Sequence, residues 1–309
     1  MGVSFRDQVV LITGARGLGL EVARIFAREG AKLALLARDE GELERAAAEL
    51  RASGAAVCVV PCDVSKADQV EAAVAIVVAE HGSVDVLVNN AGIIEVGPFE
   101  HMRDADFEAA MGVHFWGPLN LIQAALPHLR RRGGRIVNVA SIGGLVPVPH
   151  MLPYVASKFA LVGLSEGLRV DLSGSGVSVT TVCPGLMRTG SFGHALFKGR
   201  HEAEYAWFSV ASSFPFVTMS SQRAAKRVVE ATRSRTARVT LMPWAKLLVF
   251  LHAVAPGLLT GVLGLGQRFL PAPGGADGEV LVEGRRIELP SSVSALLGPG
   301  RDAAARNNE

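Results

Sequence analysis

Cysteine is scarce in this chain: Cys58, Cys62 and Cys183 are all that 309 residues contain. None belongs to a C-x-x-C pair and no histidine pair accompanies them, so the spacing provides neither a disulfide framework nor a zinc site. They read as small buried hydrophobes in a reducing compartment. Aromatic residues make up only 6% of the chain, and the formal net charge is only +2. So little excess charge, with no basic patch interleaved with aromatics, points to neither nucleic acid nor an anionic membrane as the main partner. The run Arg130-Arg131-Arg132 reads as a helix end complementing its dipole. The opening MGVSFRDQVVLITG lacks the long apolar core of a signal peptide, so the expected location is cytoplasmic.

Apolar residues, 49% of the total, are instead dealt out in short runs. Residues 8–12, 32–36, 56–60, 84–88, 135–140, 177–182 and 237–242 are β-branched strand candidates. Helical stretches at 18–29, 40–52, 66–81, 105–131, 154–172 and 222–233 fall between or beside them. This alternation predicts an α/β fold, a doubly wound parallel sheet of seven strands, as one domain over 1–243. Within it, 186–221 has no clear period and is dense in Phe, Trp and Met, which marks a substrate loop. Residues 244–270 form an apolar helical extension, and 271–309, rich in Gly, Ala, Ser and Pro, read as a poorly ordered tail with one hairpin candidate, EVLVEGRRIEL.

The first strand runs into TGARGLG, which places Gly14, Gly17 and Gly19 between strand and helix. Glycines there let the backbone approach a pyrophosphate, whose charge then meets a helix N-terminus. The tip of the second strand, Leu36-Ala37-Arg38, carries no acid to hold a ribose 2′-hydroxyl. Arg16 and Arg38 instead suit a 2′-phosphate, so NADP(H) is favoured over NAD(H), with Asp39 a competitor for Arg38. Asp63 follows the third strand where an adenine amino group can be met, and Asn89-Asn90-Ala91-Gly92 makes a tight turn after the fourth.

Tyr154 and Lys158 are four apart and share a helix face. An ammonium near the phenol stabilises the phenolate and lowers the tyrosine pKa from about 10, fitting it for acid–base work on a carbonyl. Ser141, ending the fifth strand, can bond the substrate oxygen. With these residues in place, the chain resembles the short-chain dehydrogenase/reductase family over residues 5–243, and its NADP-preferring branch. The resemblance rests on the glycine turn, Asn89 to Gly92, Ser141/Tyr154/Lys158 and Pro184-Gly185. It implies a Rossmann-type fold, a lysine that also holds the nicotinamide ribose, Thr189 beside the carboxamide, and a homo-oligomer, dimer or tetramer.

Two positions depart from the family pattern. The glycine turn is one residue short between Gly14 and Gly17. An asparagine usual in the long helix is replaced by His114, which implies a modified proton relay. For substrate, Ser141, Gly143, Leu145, Leu186, Met187 and Phe192 predict an apolar pocket for a lipophilic carbonyl or secondary alcohol, with no metal. Residues 247–266 approach membrane-spanning length, but His252, Pro256 and several glycines favour a broken helix pair making peripheral membrane contact. The competing readings are a weakly catalytic, nucleotide-sensing binding protein and a membrane-surface scaffold on the same fold.

Overall fold

Strand-forming runs that are buried on both faces must be covered by helices on both faces, and the computed structural model, which describes residues 4–214 and 217–308, shows that arrangement. In chain order the core elements are β1 (Val9–Thr13), α1 (Gly17–Arg28), β2 (Lys32–Ala37), α2 (Glu40–Ala52), β3 (Val57–Pro61), α3 (Ala67–His81) and β4 (Val86–Asn89). They continue through a short β5 (Glu95–Val96), α4 (Asp104–Met111), α5 (Gly117–Arg132), β6 (Arg135–Val139), α6 (Leu152–Asp171) and β7 (Ser178–Cys183). The seven-stranded sheet has the order β11-β7-β6-β4-β1-β2-β3, with β11 at Arg238–Thr240, and every neighbouring pair is parallel. All seven predicted strands are therefore present. β1 lies between β2 and β4, so the chain reverses its winding direction there. The crevice at the carboxyl ends of β1 and β4 is where such sheets bind ligands.

Two apolar layers hold the helices on the sheet. One joins Val10 and Ile12 to Leu20, Phe26, Leu43 and Val228, and the other joins Leu11 and Leu36 to Val70, Val77, Leu121 and Leu129. Neighbouring residues of β1 thus feed opposite faces, as strand geometry requires.

The single helix predicted over 105–131 is two helices joined by a π-helical turn at Gly112–Trp116. Pro118 has no N–H to return to the His114 carbonyl, so the α-helical bonding lapses there.

The region after β7 holds β8 (Met187–Arg188), β9 (Leu196–Phe197), α7 (His201–Ser213), β10 (Met219–Ser220) and α8 (Ser221–Arg233). Within the predicted substrate loop, residues 215–216 lie outside the described residues. The apolar extension forms α9 (Pro243–Val254) and α10 (Pro256–Gly266). Among the described residues no helix is long and apolar enough to cross a membrane.

The tail reading is corrected. β12 (Val282–Glu283) pairs antiparallel with β9 instead of closing a local hairpin, and α11 (Ser291–Ala295) and α12 (Gly298–Arg306) follow. Asn307 is fully buried. Residue 309 lies outside the described residues.

Candidate active site

Thr13 ends β1 with its backbone turned toward Asn90. Its Oγ1 accepts from the N–H groups of both Asn90 and Ala91 at 2.9 Å, and its carbonyl accepts from Asn90 Nδ2 at 2.9 Å. The glycine turn and the Asn89–Gly92 turn are thereby tied into one unit. Gly14 has φ +89°, which excludes side chains at little cost only for glycine. A Cβ on Gly19 would stand 2.2 Å from the Gly14 carbonyl, so this glycine serves the packing of α1 against the turn.

A cavity of about 700 Å³ runs from this turn along the carboxyl edge of the sheet. Its walls include Gly14, Arg16, Gly17, Arg38, Asp63, Asn90, Ala91, Gly92, Ser141, Tyr154, Lys158, Pro184, Gly185 and Thr189. Of the fourteen residues assigned to the cofactor from sequence, only Gly19 is absent from that wall. The first turn of α1 opens onto the cavity; its Gly17 N–H donates to the Asn307 carbonyl, and the N–H groups that follow have no intrahelical acceptor, so an anion fits beside them.

At the other end, α6 delivers Tyr154 and Lys158 one turn apart, the lysine buried and the tyrosine half-buried at the cavity wall. Ser141 hydrogen-bonds the Tyr154 side chain and its Oγ also accepts from the Gly143 N–H at 3.1 Å. Lys158 Nζ donates to the Val139 carbonyl at 2.9 Å and stands 5.7 Å from the centre of the tyrosine ring. Burial lowers Lys158 from 10.5 to about 7. Burial also raises the Tyr154 phenol, against a smaller downward pull from the Ser141 hydrogen bond. In both groups the largest influence is desolvation, which disfavours the charged form of each.

His114 projects from the π turn and is fully buried. Its Nε2 lies 3.1 Å from the Ile93 N–H, which makes that nitrogen an acceptor. Its Nδ1 lies 2.8 Å from Ser157 Oγ, whose own proton goes to the Tyr154 carbonyl, so Nδ1 is the donor. Burial, with the Lys158 charge adding to it, holds the imidazole well below its usual pKa. Both ring nitrogens are thus engaged, Nε2 as acceptor and Nδ1 as donor, and the ring lines the cavity. It fastens the Asn89–Gly92 turn to α6 and packs edge-on to Tyr154, with ring centres 5.4 Å apart.

The substrate assignment divides. Ser141 and Met187 line the cavity, whereas Gly143, Leu145, Leu186 and Phe192 do not. Leu145 packs with Leu161, Val162 and Cys183, and Phe192 with Phe197, Tyr205 and Phe208, so both belong to the core. Gly143 is spent in the turn after Ser141, and the Leu186 carbonyl accepts from Met219 N–H. Ile93, Ile94, Val113, His194, Ala195, Leu196, Glu283 and Arg285 also line the cavity. Glu283 and Arg285 come from the tail: Glu283 accepts from His194 Nδ1 at 3.0 Å, and Arg285 pairs with Glu283 at 2.8 Å. The hairpin candidate EVLVEGRRIEL contains both, but nothing local places them at the cavity, because they reach it by pairing with a strand some 85 residues away.

The parallel sheet and the cavity at its carboxyl edge have the Rossmann-type arrangement, and residues 8–196 match the short chain dehydrogenase family. The chain belongs to that family. It is 40% identical over 188 residues, 60% of its length, to "Probable oxidoreductase EphD" of Mycobacterium tuberculosis, of whose length it spans only 32%. It is 36% identical over 255 residues to "11-beta-hydroxysteroid dehydrogenase-like 4A" of Arabidopsis thaliana, covering 82% of each chain. A short-chain dehydrogenase/reductase from Burkholderia phymatum, solved in complex with NAD, superposes with a TM-score of 0.76 at 30% identity, covering 83% of this chain and 96% of the other.

Proposed function

We propose that this protein is an NADP(H)-dependent oxidoreductase that interconverts a lipophilic carbonyl compound and its secondary alcohol. The observation that carries the reading is that Tyr154, Ser141 and Lys158 meet at one end of a cavity whose other end is the glycine turn and the β2 tip. When bound, the cofactor supplies the hydride. Tyr154, raised by burial and therefore protonated at neutral pH, gives its proton to the carbonyl oxygen during reduction and takes it back in oxidation. Ser141 bonds the phenol and the substrate oxygen and so aligns the two. Lys158, buried beneath the tyrosine, responds in its protonation to the charge on the phenol and to the ribose hydroxyls it would hold.

The preference for NADP(H) rests on Arg38 and Arg16 at the cavity wall. Asp39, the competitor for Arg38, is engaged as the cap of α2, accepting from the Glu42 N–H at 2.7 Å. Glu42 holds Arg16 at 2.5 Å and fixes its direction. Support for a lipophilic substrate comes from Ile93, Ile94, Met187, Ala195 and Leu196, the apolar part of the wall. The steroid-dehydrogenase-like name of the Arabidopsis relative is in keeping with it.

Fluorescence titration with NADPH and NADH tests the reading, followed by turnover on lipophilic ketones. NADPH binds more tightly, and Arg38→Ala narrows the gap by roughly tenfold or more, the worth of one charge-assisted bond. Tyr154→Phe keeps NADPH binding and lowers turnover by roughly a hundredfold or more. Binding of neither nucleotide overturns the enzyme, and an NADH preference untouched by Arg38→Ala overturns the cofactor assignment.

A further inference from the structure

Helices α9 and α10 carry two apolar stripes where a surface helix needs one. On α9 the inward stripe is Ala245, Leu248, Val249 and His252, at successive spacings of three, one and three. Ala245 is buried, and with Leu248 and Val249 it packs against Ile142, Val146 and Met242. The opposite stripe, Leu247, Phe250, Leu251 and Val254, has the same spacing and is exposed. On α10, Leu259 and Leu263 face the protein while Leu258, Val262 and Leu265 face away. Val254 and Leu258, on either side of the joint at Ala255, are 68% and 71% exposed, and Phe269 beyond α10 is 91% exposed. A helix that is hydrophobic all round is normally buried on all sides, so these outer stripes call for an apolar medium.

Charge identifies that medium. No Asp or Glu occurs between Glu230 and Asp277. The helix pair instead has exposed cations at its two ends, Lys246 in the first turn of α9 and Arg268 just after α10. A second copy of this surface would bring like charges together with no anion to match them. Anionic lipid headgroups supply both the missing charge and the apolar layer beneath it. The helices are 12 and 11 residues long, too short to cross a bilayer and suited to lying in one leaflet.

We propose that α9 and α10 form a membrane-docking surface that seats the protein on one leaflet of a bilayer containing anionic lipid. The surface adjoins the chemistry. Its inner stripe packs on the Ile142–Val146 turn, directly after Ser141, and a side chain at Gly185 would meet the Trp244 ring at 3.1 Å. Docking thus holds the substrate end of the cavity close to the lipid, where a lipophilic substrate is concentrated. That last clause rests on the function proposed above; the docking itself does not.

The full chain is floated on a density gradient with vesicles of phosphatidylcholine alone and of phosphatidylcholine with phosphatidylglycerol. Protein position is read, not turnover, so a failed oxidoreductase assignment leaves the result interpretable. The protein rises with the anionic vesicles, and about tenfold less with the neutral ones or in high salt. The variant Phe250→Ser/Val254→Ser/Leu258→Ser, all exposed positions outside the cavity, loses vesicle binding by roughly a hundredfold or more while keeping the wild-type melting temperature and NADPH titration. The proposal is overturned if the wild type stays at the bottom with both vesicles, or if the variant rises as well as the wild type. It is also overturned if the wild type elutes as a dimer that the variant splits and neither floats, since a second copy then covers this face.

Discussion

The Gly17 N–H, which opens α1 at the shortened glycine turn, donates to the carbonyl of Asn307, 290 residues further along, at 2.8 Å. The Asn307 side chain donates to the Thr189 carbonyl at 3.1 Å and to Ser221 Oγ at 3.2 Å. One buried asparagine therefore ties the cofactor turn to the loop that carries Thr189. Asn308 extends the tie, reaching the carbonyls of Ala15 and Glu42. Asn307→Ala strands the Thr189 carbonyl and costs about 1–3 kcal/mol, read as a fall of several degrees in melting temperature. Ending the chain after Arg306 also frees the Gly17 N–H and raises the NADPH dissociation constant by about tenfold or more. An unchanged nucleotide affinity in the truncated chain would reduce the tie to a packing detail.

Lys158 makes stability depend on pH. Its folded pKa of about 7 lies below the ordinary lysine value of 10.5, so between those limits the unfolded chain binds more protons. Stability then rises with pH across that window, by at most about 1.4 kcal/mol per unit. Lys158→Met removes this slope, is the more stable protein near pH 7, and loses turnover. Denaturant midpoints for both proteins from pH 7 to 10 check the sign.

Glu95 imposes the opposite slope. Burial, reinforced by the nearby Asp106 charge and opposed by Lys198, raises its carboxyl from 4.5 to about 7. Its Oε2 is buried without a hydrogen-bond partner among the described residues. The folded state holds the extra proton between those values, so stability falls as pH rises from 4.5 to 7. Glu95→Gln, neutral throughout, flattens that part of the stability profile and gains most relative to wild type above pH 7.

His114 gives a different signature. Because its imidazole stays neutral and both nitrogens are bonded, the pH–rate profile contains no step from this residue near 6.5. His114→Ala leaves the Ile93 N–H and Ser157 without their partner, costs roughly 2–4 kcal/mol, and lowers kcat by displacing α6 from the Asn89–Gly92 turn. His114→Asn, which can accept from one side and donate to the other, restores more of kcat than alanine does. Equal loss in both variants would point to ring packing on Tyr154 instead.

The parallel seven-stranded sheet and most of the residues along its carboxyl-edge cavity were legible in the chain because both depend on local pattern. Alternating β-branched runs and helices define a parallel sheet, and its crevice gathers whatever follows β1, β2, β3, β4, β6 and β7. Arg38, Asn90, Ser141 and Pro184 had to meet once those strands lay side by side. The substrate residues were less legible. Leu145 and Phe192 are apolar and near the motifs in sequence, yet both turn into the core, since an apolar side chain is equally at home in core and pocket.

What tertiary structure alone decided is concentrated where contacts span long sequence separations. Apart from the hairpin candidate EVLVEGRRIEL, the tail's Gly, Ala and Pro content showed no helical or strand period. β12 nevertheless finds its partner in β9, Glu283 and Arg285 reach the cavity, and Asn307 enters the core beneath the glycine turn. The protonation of Lys158 and Tyr154 was not legible for a related reason. Spacing on a helix fixes which residues are neighbours, but the cost of burying their charge is set by the whole surrounding structure.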